Sequence, residues 1–185
     1  MIGRMAWKKY SSRTIYENDW MAVLEDHVRN PGGGENQYGY VHFKNLAVAI
    51  LPLDHEDHTW LVGQSRYTLG EYSWELPMGG APRDEDPLLA AQRELAEETG
   101  LRASNWQELM RLHTSNSITD EQAIVFVATG LRAGAPALEE SEDISTQRLP
   151  IDSAIGMVMS GEITDAISVA ALLRLGLMRK QQTRP

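Results

Sequence analysis

A chain of 185 residues suits one domain with a full hydrophobic core and is short for two. Its 42% hydrophobic and 23% charged content excludes disordered, collagenous and coiled-coil classes. A formal net charge of −9 disfavours nucleic-acid binding, and the absence of cysteine excludes disulfides, thiolate nucleophiles and Cys-ligated metal centres.

The first residues, Met1 to Tyr10, carry Arg4, Lys8 and Lys9 but no apolar core of a signal peptide. A cytoplasmic enzyme is expected. Met21 to Val28 and Tyr38 to Phe43 show the partial alternation of half-buried strands on either side of the loop Asn30 to Asn36, which predicts a hairpin. Leu46 to Leu53 is a continuous apolar strand, Asp54 to His58 a polar turn, and Thr59 to Gln64 an extended segment. That order predicts a second hairpin.

From Asp86 the period changes. Asp86 is an N-cap, Pro87 fits the first helical position and Gly100 suits a left-handed C-cap, so a helix of about three to four turns follows. Arg132 to Pro136 reads as a loop. Ala123 to Ala128 reads as a strand, and Ser153 to Ser160 and Asp165 to Met178 as helices. The apolar run from Ala166 to Met178 contains Arg174 and is too short to span a bilayer. Residues 179–185 are expected to fray. Strands, one central helix, more strands and C-terminal helices predict a mixed α/β (α+β) fold with helices covering a sheet. The lack of regular βαβ alternation disfavours a dinucleotide-binding topology.

The chemistry concentrates between Gly79 and Leu101. Glu94, Glu97 and Glu98 stand at i, i+3 and i+4 on one helix face, beside a packing face of Leu88, Ala91 and Leu95. Like charges at that spacing cost a helix a few tenths of a kcal/mol per pair. An acidic helix face is most often only solvated surface, and a hard divalent cation is the functional reason for such a cluster. Oxygen-only ligation favours Mg²⁺ or Mn²⁺, which in turn points to phosphate ester or anhydride chemistry with a Lewis acid and an activated water.

Gly79, Glu85, Arg93, Glu94, Leu95, Glu97, Glu98, Gly100 and Leu101 follow one another as G-x5-E-x7-R-E-U-x-E-E-x-G-U, where U is aliphatic. This pattern resembles the complete signature of the Nudix hydrolases. The resemblance implies a Nudix α/β/α sandwich with a mixed β-sheet and an N-terminal β-strand extension, and cleavage of a nucleoside diphosphate linked to another moiety. It further implies that Glu94 and Glu98 are the main metal ligands, with Glu97 and the main-chain carbonyl of Met78 or Gly79 as others. Arg93 would orient the glutamates and Glu85 would brace the loop.

The flanks resemble the ADP-ribose pyrophosphatase and nucleoside diphosphate sugar branch: GQSR at Gly63 to Arg66, WELP at Trp74 to Pro77, LEESEDI at Leu138 to Ile144 and GEITDA at Gly161 to Ala166. In that branch an acidic loop supplies a late glutamate as base or further ligand, for which Glu140 and Glu142 are the candidates. Arg66 is the candidate phosphate contact, and Trp20, Tyr67 and Trp74 candidate stacking residues, though aromatics are more often core. Glu121 ends SNSITDE, a loop that replaces the Pro-Gly sequence of many ADP-ribose hydrolases and leaves other sugar nucleotides open; it is a further substrate-binding candidate. The five histidines lack HExxH spacing and read as solvated or hydrogen-bonded.

The expected activity is Mg²⁺-dependent hydrolysis of ADP-ribose or another nucleoside diphosphate sugar to nucleoside monophosphate and sugar phosphate. The alternatives are a nucleotide-sugar sensor without catalysis, or a hydrolase of dinucleoside polyphosphates or RNA 5′ ends. The same resemblance implies a homodimer built through residues 1–43, with residues 44–178 as the hydrolase domain.

Overall fold

The computed structural model describes residues 7–134 and 144–182 of the chain. In chain order its elements are β1 (Lys8–Glu17), β2 (Met21–Arg29), β3 (Glu35–Phe43), β4 (Asn45–Pro52), β5 (His58–Arg66), β6 (Glu71–Glu75), β7 (Met78–Pro82) and α1 (Pro87–Thr99). There follow β8 (Leu101–Arg102), β9 (Asn105–His113), β10 (Gln122–Thr129), β11 (Arg132–Ala133), β12 (Ser145–Pro150), α2 (Ile151–Ser160) and α3 (Ala166–Gln182). They form two compact units. One joins the N-terminal residues through Asn45 with His113–Glu121, and the other joins Leu46–Leu112 with the residues from Gln122 onward.

In the first unit β1, β2 and β3 make an antiparallel sheet, with Met21 opposite Phe43 and Arg29 opposite Glu35 across the predicted hairpin. The segment after His113 is stitched to β3. Val41 donates its N–H to Ile118 O at 2.9 Å, and the N–H of Phe43 reaches Asp120 Oδ1 at 2.9 Å. Asp120 Oδ2 also meets His42 Nδ1 at 2.5 Å. An Asp that takes both a backbone N–H and an imidazole nitrogen fixes the loop's register against the strand.

The second unit is a sandwich whose layers follow from strand periodicity. Central β4 and β10 pair in parallel, Val48 beside Ile124 and Ile50 beside Phe126. Alternate residues of both strands go to opposite cores. Val48, Ile50, Ile124 and Phe126 pack with Ala90, Ala91 and Leu95 of α1. Ala49, Leu51, Ala123 and Val125 pack with Ile151 and Ala154 of α2 and Ile167, Ala171 and Leu172 of α3. Both faces are dry, so β4 and β10 read as unbroken apolar runs; each fully buried Leu or Ile contributes about 1.5–3 kcal/mol.

The predicted second hairpin does not form. β4 lies in the order β7-β4-β10-β9, whereas β5 lies in a separate sheet, β12-β5-β6. The strands take other partners, β4 lying between β7 and β10 and β5 between β12 and β6, although the turn between them is tightly closed, with Asp54 Oδ1 accepting the N–H groups of Glu56 and His58 at 2.9 Å and Asp57 at φ 60°. α3 runs through Gln182, beyond the expected end at Met178, and Arg179 in its last turns pairs with Asp57. Among the described residues no helix is long and apolar enough to cross a membrane.

Candidate active site

The acidic segment is held by α1 and the turn before it. Asp86 Oδ1 accepts the N–H of Leu88 at 2.9 Å, Pro87 opens the helix, and Gly100 closes it at φ 70° with its N–H on Ala96 O. The apolar side of α1 is buried, and that anchors the opposite edge. Glu94 and Glu97 are half-buried and Glu98 is 3% exposed.

A carboxylate that deep requires donors. Glu98 Oε2 accepts the main-chain N–H of Met78 at 2.9 Å, tying α1 to the first residue of β7. Arg93 spans the outer carboxylates: Nη1 donates to Glu94 Oε1 at 2.8 Å and Glu97 Oε2 at 3.1 Å, Nη2 donates to Gly80 O at 3.1 Å, and Glu85 lies 3.8 Å away. Burial would depress the guanidinium, but Glu94 and then Glu97 hold it above its ordinary value. One guanidinium thus stands against three carboxylates, those of Glu85, Glu94 and Glu97.

Gly79 marks the closest approach. A Cβ there would stand 2.1 Å from Glu94 Cδ. Only a residue without a side chain lets the Glu94 carboxylate lie against the β7 backbone. The oxygen-only donors, the missing Cβ at Gly79 and the buried Glu98 carboxylate fit a hard divalent cation. Asp54, Glu56 and His58 also bring ligand atoms within 4.8 Å of one another. There Arg148 Nη2 meets both carboxylates at 2.5 Å, and Asp54 caps the turn, so that cluster is a salt-bridged corner of the fold.

Arg66, the candidate phosphate contact, forms a two-pronged pair with Glu75, its Nε 2.9 Å from Oε1 and its Nη2 on Oε2. Burial pushes the Glu75 carboxyl up, and the Arg66 hydrogen bonds and charge outweigh that to hold it below its ordinary value. Trp74 is partly buried and packs edge-on to Tyr72 at 5.7 Å, as a wall of the apolar core. Tyr67 is 99% exposed at the β5 to β6 turn. Trp20, 69% exposed, and Glu121, which accepts from Thr114 Oγ1, belong to the N-terminal unit. Glu140 and Glu142 lie outside the described residues.

Sequence reasoning missed Glu75 and Ser168. Ser168 is fully buried in α3 and its Oγ accepts the Leu76 N–H at 2.9 Å. The motif WELP carried a signal for Glu75, an acid between two apolar residues in a strand.

The family model of the NUDIX domain matches residues 43–169, more than half of the chain. The chain belongs to the Nudix family of hydrolases. The model of the nucleoside diphosphate sugar hydrolase N-terminal domain matches residues 7–41. An ADP-ribose pyrophosphatase of Mycobacterium tuberculosis is 42% identical over 167 residues, covering 88% of this chain and 80% of that protein. One of Bacillus subtilis is 28% identical over 179 residues, covering 96% of both. A crystal structure described as an ADP compounds hydrolase matches with a TM-score of 0.84 at 22% identity over 97% of each chain, which shows the Nudix fold. Nudix hydrolases generally use a divalent metal, and the matched range contains α1 and the turn before it.

Proposed function

We propose that this Nudix protein hydrolyses the diphosphate of ADP-ribose or another nucleoside diphosphate sugar, releasing nucleoside monophosphate and sugar phosphate. The observation that carries the reading is the Glu98 carboxylate, 3% exposed and held by the Met78 N–H, beside a Glu94 seated against Gly79. The N-terminal sugar-nucleotide hydrolase segment at residues 7–41 supports the substrate class. The RNA pyrophosphohydrolases among the relatives align with only 30–37% of the chain, which leaves the RNA alternative without comparable support.

Glu94, Glu97, Glu98 and a carbonyl of Met78 or Gly79 would hold the cation, for which Mg²⁺ is the first candidate and Mn²⁺ the second. The bound cation supplies Lewis acidity toward phosphate oxygens and acidifies a water. The protein's own residues do the positioning. Met78 fixes Glu98, and Arg93 keeps Glu94 and Glu97 turned to one side. Arg66, oriented by Glu75, keeps further N–H donors for a substrate phosphate. Glu142 or Glu140 is the proposed proton acceptor, and Trp20, Tyr67 and Glu121 the proposed contacts to base or ribose. The reading includes a cytoplasmic location and a homodimer through the N-terminal unit.

The test incubates the protein with Mg²⁺ and ADP-ribose, GDP-mannose, ADP-glucose, diadenosine polyphosphates or 5′-triphosphorylated RNA, and resolves the products by chromatography. Nucleoside monophosphate plus sugar phosphate, lost with chelator and in Glu98→Gln, is the expected result. Binding without turnover would establish a sensor instead.

A further inference from the structure

Arg66 ends β5, and the residue that grips it, Glu75, ends β6. β6 is the edge of the sheet β12-β5-β6, with Glu75 paired to Val62. The next residue, Leu76, is fully buried, and Pro77 after it has no N–H to continue a ladder. The Leu76 N–H turns instead to Ser168 Oγ on α3 at 2.9 Å, while the Ile50 N–H donates to Pro77 O at 2.8 Å. α3 therefore closes the end of the strand that carries Glu75.

Asp165 fixes that part of α3. It stands just before the first helical residue, Ala166; its Oδ2 accepts the Ser168 N–H at 2.8 Å and its main-chain O accepts the Val169 N–H at 2.9 Å. These two bonds are those of a helix N-cap, and they set the first turn, in which Ser168 stands. The same carboxylate also acts on the guanidinium through space. The bonds to Glu75 raise Arg66 above its ordinary value against the effect of burial, and the charges of Glu75, Asp165 and Glu98 add to the rise in that order. A cap needs only an acceptor, which Asn or Ser supplies as well as Asp, so the cap alone does not call for a charge.

We infer that Asp165 is a positioning residue for Arg66. Through Ser168 and Leu76 it holds the end of β6 from which Glu75 grips the guanidinium, and its charge restrains the same guanidinium directly. The remaining N–H groups of Arg66 are thereby kept in one orientation for a substrate phosphate. The inference rests on the reading of Arg66 as the phosphate contact.

Two measurements on the full chain test it. The first needs no turnover: exchange with water of the Arg66 Nε–H, followed in a proton–nitrogen correlation spectrum and identified by its disappearance in Arg66→Lys. Exchange quickens in Asp165→Ala, and also in Asp165→Asn, which keeps a cap acceptor and removes the charge. The second is kinetic. Asp165→Asn raises KM for the nucleotide sugar about threefold, the size of one partly exposed ion pair, with little change in kcat or melting temperature. Asp165→Ala raises KM roughly tenfold and lowers the melting temperature as well. In an Arg66→Ala background neither substitution changes KM further, because both act through the guanidinium. A purely structural cap would lower kcat and melting temperature in Asp165→Ala, leave Asp165→Asn like the wild type and act equally with and without Arg66; that pattern overturns the inference. A fall of KM in Asp165→Asn overturns it too, since the carboxylate would then only repel the phosphate. If no sugar nucleotide is hydrolysed, the proposed activity fails by itself and the resonance decides: faster exchange in both variants upholds the positioning role, and unchanged exchange in either one overturns it.

Discussion

Leu76 and Ser168 stand 92 residues apart, are both fully buried, and are joined by a 2.9 Å hydrogen bond from the Leu76 N–H to Ser168 Oγ. The Ser168 N–H in turn donates to Asp165 Oδ2 at 2.8 Å, so the start of α3 is fastened to the strand segment that leads into Gly79. Ser168→Ala leaves the Leu76 N–H buried and without that acceptor. The expected cost is about 1–3 kcal/mol in urea unfolding. Hydrolytic activity falls with it because Leu76 lies two residues before Met78; unchanged stability would show that another acceptor takes over.

Glu98→Gln separates ligand charge from architecture. The amide oxygen still accepts the Met78 N–H, so the fold and its melting temperature stay close to the wild type. The carboxylate charge is lost from the proposed cation site, and turnover drops on the order of a hundredfold or more, with weaker apparent Mg²⁺ affinity. Circular dichroism and a Mg²⁺ titration of the rate check both halves.

How far these contacts were legible beforehand follows from their range. The Nudix helix, its caps and its three glutamates are local, within 23 residues, and period and capping chemistry revealed them in the sequence. The β2 to β3 hairpin was equally local. The parallel pairing of β4 with β10 was not, since Ala47 and Ala123 are neighbours only through the tertiary fold, and sequential order suggested β5 as the partner of β4. Ser168 and Glu75 were hidden for the same reason. A serine in an apolar helix and an acid in a strand reveal a partner only when packing brings Leu76 and Arg66 to them.

Gly79→Ala tests the close approach. Since a Cβ would fall 2.1 Å from Glu94 Cδ, and the obstructing group is the flexible end of a side chain, Glu94 gives way at modest cost in stability. Activity falls much further than the melting temperature. In Gly79→Ala combined with Glu94→Ala, the second substitution adds little, because both remove the same carboxylate from the same place. Full additivity in kcat would instead assign Gly79 a role unrelated to Glu94.

The Arg66 to Glu75 pair imposes a pH dependence whose sign follows from Glu75. Burial raises its pKa, but the Arg66 bonds and charge overcome that and leave it below the ordinary 4.5. A carboxyl more acidic in the folded than in the unfolded state binds fewer protons when folded. Its contribution is therefore complete above about pH 4.5 and is lost as pH falls through the lower folded value. Glu75→Gln lowers stability at neutral pH because it removes the charged partner of a guanidinium that is itself half-buried. The difference between wild type and variant narrows in urea unfolding as acid approaches the folded pKa. Arg66, no longer held from two sides, loses orientation, so KM for the nucleotide sugar rises more than kcat falls. An equal stability difference at neutral and acid pH would mean that the pair is not what lowers the Glu75 pKa.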